Sequence, residues 1–141
     1  MQEYRFKFYL NAIHSIEINN MMGDEHPHTW EIGIDAYKSD DSFVAFSDIE
    51  AEVEKVLAPF QDKIMNNVQP FDVINPTLEN VSFYFMRKLE QLLMDNDWLM
   101  TKIEVSETPA RTFVIDLKNP VYMSKLKSNK QEVIFKIVDK E

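Results

Sequence analysis

The chain has 141 residues, 45% of them hydrophobic and 12% aromatic, with a formal net charge of −9 and no cysteine. That length suits one domain, and the apolar content supports a packed core and argues against a disordered chain. The acidic balance without a basic stripe argues against nucleic acid as partner, and the lack of cysteine excludes disulfides, thiolate metal ligands and a cysteine nucleophile.

Residues Tyr4 to His14 alternate. Tyr4, Phe6, Phe8, Leu10, Ala12 and His14 share one face, and Arg5, Lys7, Tyr9 and Asn11 the other. This period of two predicts a half-buried strand. His28 to Ala36 repeats the pattern, with Trp30, Ile32, Ile34 and Ala36 on the face of His28. The stretch Ser15 to Glu25, with Asn19, Asn20 and Gly23, reads as a loop joining an antiparallel pair. Ser47 and Glu50 fit a capping box, with Ile49, Val53, Val56 and Leu57 at helical spacing and Pro59 closing the segment. Thr77 caps a second, longer helix through about Met94, with Leu78, Val81, Phe85, Leu89 and Leu92 as its buried stripe. Trp98 to Ser106 and Thr112 to Leu117 follow as strands, with Pro109 between them, and Gln131 to Val138 can add a short fifth. Strand, strand, helix, helix, strand, strand predicts an α+β domain.

The N-terminus, MQEYRFKFYL, lacks an apolar run of signal-peptide length, and no segment is long enough to span a bilayer. A cytoplasmic protein without a membrane partner is the expectation. Gly23 and Gly33 are the only glycines, too few for a glycine-rich phosphate loop. Lys118, Lys125, Lys127 and Lys130 form a mild cluster that reads as a solvated segment.

The chain's three histidines are His14, His26 and His28. On a strand, positions i and i+2 point to one side, so His26 and His28 can aim at one point, and His14 on the adjoining strand can supply a third imidazole. Three protein ligands with an open fourth position is the pattern of a catalytic zinc site. Spacing alone equally allows His14 as a satisfied core histidine and the stretch from His26 to His28 as a turn.

The runs FYLNAIHSI and EHPHTWEI resemble the 6-pyruvoyl-tetrahydropterin synthase and 6-carboxy-tetrahydropterin synthase family, in which a phenylalanine-rich strand ends in Ala-Ala-His and His-Gly-His-Asn-Tyr follows. Phe46-Ser47-Asp48 is similar to that family's Phe-Ser-Asp helix start, Pro76-Thr77-Leu78-Glu79-Asn80 to its Pro-Thr-x-Glu-Asn, and Val105-Ser106-Glu107-Thr108 to its Val-x-Glu-Thr. The resemblance runs from residue 4 to about residue 117. It implies the tunnelling fold, here an antiparallel four-stranded sheet with two helices on one face in the order ββααββ. The domain would span residues 1–117, with 118–141 as a C-terminal extension packed on it. It also implies Zn2+ on His14, His26 and His28, a homo-oligomer (trimer or hexamer), and a pterin-like small molecule as ligand. Glu107 would accept from a ring N–H and the neighbouring amine of the pterin, a charge-assisted bidentate pair. Glu79 and Thr77 would support the pocket. An acid in a first helical turn also simply complements the helix dipole.

The resemblance breaks at the acid–base groups. The cysteine of the carboxy-synthase branch falls on Met22, and a thioether is no base. The family's Leu-Asp-His-Lys-Tyr-Leu-Asn corresponds to Phe60-Gln61-Asp62-Lys63-Ile64-Met65-Asn66, so Gln61 replaces the aspartate and Asp62 the histidine. A branch of the family uses a glutamate near the histidine pair. Asp24 and Glu25 occupy that region as candidate bases, against the plainer reading of an acidic loop. The expectation is a zinc-dependent lyase acting on 7,8-dihydroneopterin triphosphate or a related pterin. The alternatives are a zinc- and pterin-binding paralogue without turnover, serving as sensor, carrier or scaffold, and a pocket for another ligand with vicinal oxygens.

Overall fold

The structure is a computed structural model that describes residues 2–118. The expected strand at 131–138 and the packing of the C-terminal extension lie outside the described residues.

Strand β1 (Tyr4–His14) leads into a small hairpin, β2 (Glu17–Ile18) and β3 (Met21–Met22). Its turn is Asn19-Asn20, with φ of 53° and 64°. Two positive φ angles in a two-residue loop are what tight hairpins need, and asparagine tolerates them. The expected loop therefore contains a hairpin. Gly23 closes it, donating to the Ile16 carbonyl at 2.9 Å. A Cβ there would lie 3.2 Å from that oxygen.

Strand β4 (His26–Lys38) pairs antiparallel with the whole of β1, through its residues 26–36. After helix α1 (Phe46–Leu57) come β5 (Lys63–Ile64), helix α2 (Leu78–Asp95), β6 (Trp98–Thr108) and β7 (Arg111–Asp116). The main sheet runs β5-β1-β4-β6-β7. Its four long strands are antiparallel, as expected. The two residues of β5 add an unexpected fifth strand parallel to β1.

One sheet face carries Phe6, Phe8, Leu10, Trp30, Ile32, Ile34, Ile103, Val105 and Ile115, all buried in a single cluster with residues of both helices. The other face is polar. Arg5 grips Asp35 with two hydrogen bonds, at 2.7 and 3.0 Å, and Lys7 pairs with Glu31 at 3.2 Å. The strict alternation in β1 thus separates a core face from a charged face.

The helices correct the sequence reading in two places. Helix α1 starts at Phe46 with Ala45 as N-cap and no side-chain cap bond, so Ser47 does not cap it. Phe46 packs edge-on against Tyr4, 5.4 Å between centroids, which draws the helix start one residue ahead of the serine. In α2, Leu78 and Leu92 are only half-buried, whereas Ser82, Phe83, Tyr84, Met86 and Leu93 are buried. The helix is covered on two sides. Phe83 meets Phe113 of β7 at 5.5 Å, while Tyr84 meets Phe60 and Phe71 of the 58–75 connection at 5.6 and 5.3 Å. No helix among the described residues is long and apolar enough to cross a membrane.

Candidate metal centre

The register of β1 against β4 sets His14 opposite His26 and Ala12 opposite His28. With the period of two along β4, all three imidazoles leave the sheet on the core side at its end. Their ligating atoms lie within 4.8 Å of one another. Trp30, two positions further along β4, lies edge-on beneath them, 5.0 Å from the His14 ring and 5.8 Å from that of His28.

Main-chain carbonyls orient two of the rings. His14 Nδ1 lies 2.8 Å from the Pro76 carbonyl oxygen, and His26 Nδ1 lies 3.0 Å from that of Asp24. A carbonyl only accepts, so each Nδ1 carries the proton and each Nε2 is left with its lone pair. Backbone carbonyls commonly hold metal-ligating histidines in this way. His14 is fully buried, and its Nε2 has no hydrogen-bond partner. Burial pushes the His14 pKa below its ordinary value; the Pro76 carbonyl opposes this and the two neighbouring histidines reinforce it. Burial lowers His28 as well, opposed by Glu107. Both are neutral at pH 7 and able to donate to a cation. The orphaned buried nitrogen, the fixed tautomers and the all-nitrogen donor set fit zinc.

Glu107, near the end of β6, is 9% exposed. Its Oε2 is 3.7 Å from His14 Nε2, and its Oε1 is 3.4 Å from an Arg111 guanidinium nitrogen. Thr77 Oγ1 accepts from the Asn80 amide at 3.1 Å, capping α2 as expected. Glu79 is exposed on the first turn of α2. Asp24 and Glu25 are exposed, and among the described residues neither carboxylate bonds to an imidazole.

Pro76 was not legible as a site residue. It contributes a main-chain carbonyl from 62 positions away, and no side-chain pattern encodes that contact. Its neighbours anchor it. Asn75 pairs through its amide with both the N–H and the carbonyl of Glu17, and Asn80 donates to the Asn75 carbonyl at 2.8 Å. Asn66 likewise brackets Ser15, beside His14.

The sequence model for 6-pyruvoyl tetrahydropterin synthase matches residues 3–118. The chain belongs to that family. Family members are lyase-type enzymes that use zinc. Among solved structures, the Caenorhabditis elegans 6-pyruvoyl tetrahydropterin synthase has a TM-score of 0.68 at 17% identity, covering 82% of this chain and 94% of its own. The Plasmodium falciparum enzyme gives 0.60 at 16%, covering 81% and 96%. A Plasmodium vivax 6-pyruvoyltetrahydropterin synthase, described as a catalytic-residue mutant with alanine for glutamate, gives 0.58 at 13%, covering 82% and 98%. Curated protein sequences gave no match. At these identities the likeness is one of fold, and the fold is the tunnelling fold.

Within that family frame, the divergent positions have their own contacts. Gln61 accepts from the Asn11 amide at 3.0 Å and donates to the Tyr9 carbonyl at 2.9 Å. It thus completes the free edge of β1 as a strand would, which an aspartate could not. Asp62 adopts a φ of 60° and lines a cleft of about 430 Å³ with Asn11, Pro27, His28 and Thr29. The Met22 sulfur accepts from Ser15 Oγ at 3.3 Å.

Proposed function

We propose that this chain is a zinc-dependent lyase of the 6-pyruvoyl/6-carboxy-tetrahydropterin synthase type, acting on 7,8-dihydroneopterin triphosphate or a related pterin. The observation that carries the reading is the convergence of three imidazoles, one with a buried, unpartnered nitrogen, beside the buried carboxylate of Glu107. His14, His26 and His28 hold the zinc. Zinc, when bound, polarises side-chain oxygens of the substrate and acidifies the neighbouring C–H bonds. Glu107 accepts from the pterin's ring N–H and amine, orienting the side chain toward the histidines. Ligand binding displaces Arg111 from Oε1, and the guanidinium, already well exposed, returns to water. Thr77 and Glu79 support the pocket from the start of α2. Asp24 or Glu25 takes the substrate proton; the P. vivax relative also has a glutamate described as a catalytic residue. The reading carries with it a cytoplasmic homo-oligomer, trimer or hexamer, and no nucleic-acid partner.

A second reading has its own support. Gln61 spends both ends of its amide on the β1 edge, so the position aligned with the family's aspartate holds the sheet and handles no proton. That favours a paralogue that binds zinc and a pterin without turnover. Incubation of the zinc-loaded protein with 7,8-dihydroneopterin triphosphate, with products resolved by mass, separates the two. A side-chain-modified pterin supports the lyase. Tight binding with unchanged substrate supports the binding protein.

A further inference from the structure

His14 Nε2 and Glu107 Oε2 are both buried, both lack a hydrogen-bond partner, and lie 3.7 Å apart. They cannot satisfy each other. His14 carries its proton on Nδ1, where the Pro76 carbonyl takes it, so Nε2 presents a lone pair, and a carboxylate oxygen presents another. Two facing acceptors repel, and each buried acceptor left unpaired is destabilising. Something electropositive serving both would relieve the pair. A cation on Nε2 serves the first. The second needs a donor held near that cation.

We infer that Glu107 belongs to the metal centre, its Oε2 accepting a hydrogen bond from whatever occupies the metal's fourth position, a water in the ligand-free protein or a ligand hydroxyl. This rests on the three-histidine metal reading above and adds a role to Glu107 beyond anchoring a pterin. The neighbouring contacts agree. Arg111 holds Oε1 from the solvent side, which turns Oε2 inward to His14. The three histidine atoms form the compact group, and Glu107 approaches it from the side of His14, as an outer partner of the bound group would.

The test uses metal affinity with no pterin present. Zinc binding is measured by competition with a chromophoric chelator, and cobalt binding by quenching of Trp30, which lies 5.0 Å from the His14 ring. Outer partners of a metal site typically contribute 10–100-fold in affinity. Glu107→Gln preserves shape and removes the charge, and should weaken zinc binding at least tenfold. Glu107→Asp keeps the charge but withdraws it by one methylene, and should weaken binding by a similar factor. Unchanged affinity in Glu107→Gln overturns the inference while leaving the pterin-anchor role standing. A loss in the glutamine variant alone, with the aspartate variant intact, also overturns it, because charge at a distance would then suffice. A wild-type protein that binds no zinc brings down this inference and the metal reading together. Unaltered circular dichroism spectra of both variants establish that the fold is retained.

Discussion

His14 and His26 stand directly opposite each other across the β1–β4 pair, with ring centroids 4.4 Å apart. This places the first two donors through backbone pairing alone, and the period of two along β4 adds His28, 4.8 Å from His26. The frame is rigid because β1 is paired with β4 over its full length and Trp30 fills the space beneath the rings. A site supported by strands and a buried indole is set before a metal arrives.

His28→Ala should therefore abolish most zinc binding without unfolding the chain. His28 is only half-buried and sits at the sheet end, so its loss opens little core. Metal content after dialysis, with the circular dichroism spectrum as control, checks this. Zinc retained at one per chain would refute the three-histidine site.

Trp30→Ala should act differently. The indole is fully buried and supports two of the ligating rings. Removing a buried aromatic typically costs about 3–5 kcal/mol. A lower thermal midpoint accompanied by weaker zinc binding is the expected result. A destabilised variant with undiminished zinc affinity would show that the indole does not position the imidazoles.

Stability should depend on pH through His14 and His28. Both are held below the ordinary histidine value of 6.5, chiefly by burial. Between 6.5 and those lower values the unfolded chain binds more protons than the folded one, so stability falls as pH drops through that window and is full above it. The metal-free protein should hold its thermal midpoint from about pH 8 to 6.5 and lose it toward about pH 5. Zinc should raise the midpoint at pH 7, with the gain fading in the same window, because protons and metal compete for the nitrogens. A flat profile in the metal-free protein would contradict the burial account.

The long strands, the order of elements, the α2 cap at Thr77 and the histidine triad were legible because each rests on periodicity or on one side chain. The period of two in β1 runs unbroken from Tyr4 to His14, and the observed strand has those bounds. What stayed hidden depends on partners distant in sequence. The start of α1 is set by Phe46 on Tyr4 rather than by Ser47. The two-residue β5 exists only because β1 lies beside it. The Pro76 carbonyl on His14 and the amide of Gln61 on the β1 edge join segments about 50 or more positions apart.

Glu107→Ala should weaken pterin binding by about 1.5–3 kcal/mol, the range for hydrogen bonds to charged groups. Calorimetry on the zinc-loaded protein, with a non-hydrolysable or product pterin, measures it. The loss should exceed that for Glu79→Ala, since Glu79 is exposed on its helix turn while Glu107 is buried beside His14. Equal affinity in the Glu107 variant would remove the pterin anchor from this residue.

Met22→Cys restores a thiol at the position of the family's cysteine, yet it should not create the family's activity. The Met22 sulfur sits on Ser15 Oγ, and a thiol there gains no basic partner from Gln61, whose amide is committed to Tyr9 and Asn11. Adding Gln61→Asp should not help either. The shorter acid cannot donate to the Tyr9 carbonyl, and leaving that pair broken should cost about 1 kcal/mol or more. The double variant should therefore show a lower thermal midpoint and product formation no higher than the parent. Faster turnover of 7,8-dihydroneopterin triphosphate in the double variant would mean that the β1 edge tolerates an acid and that the old proton path survives in this fold.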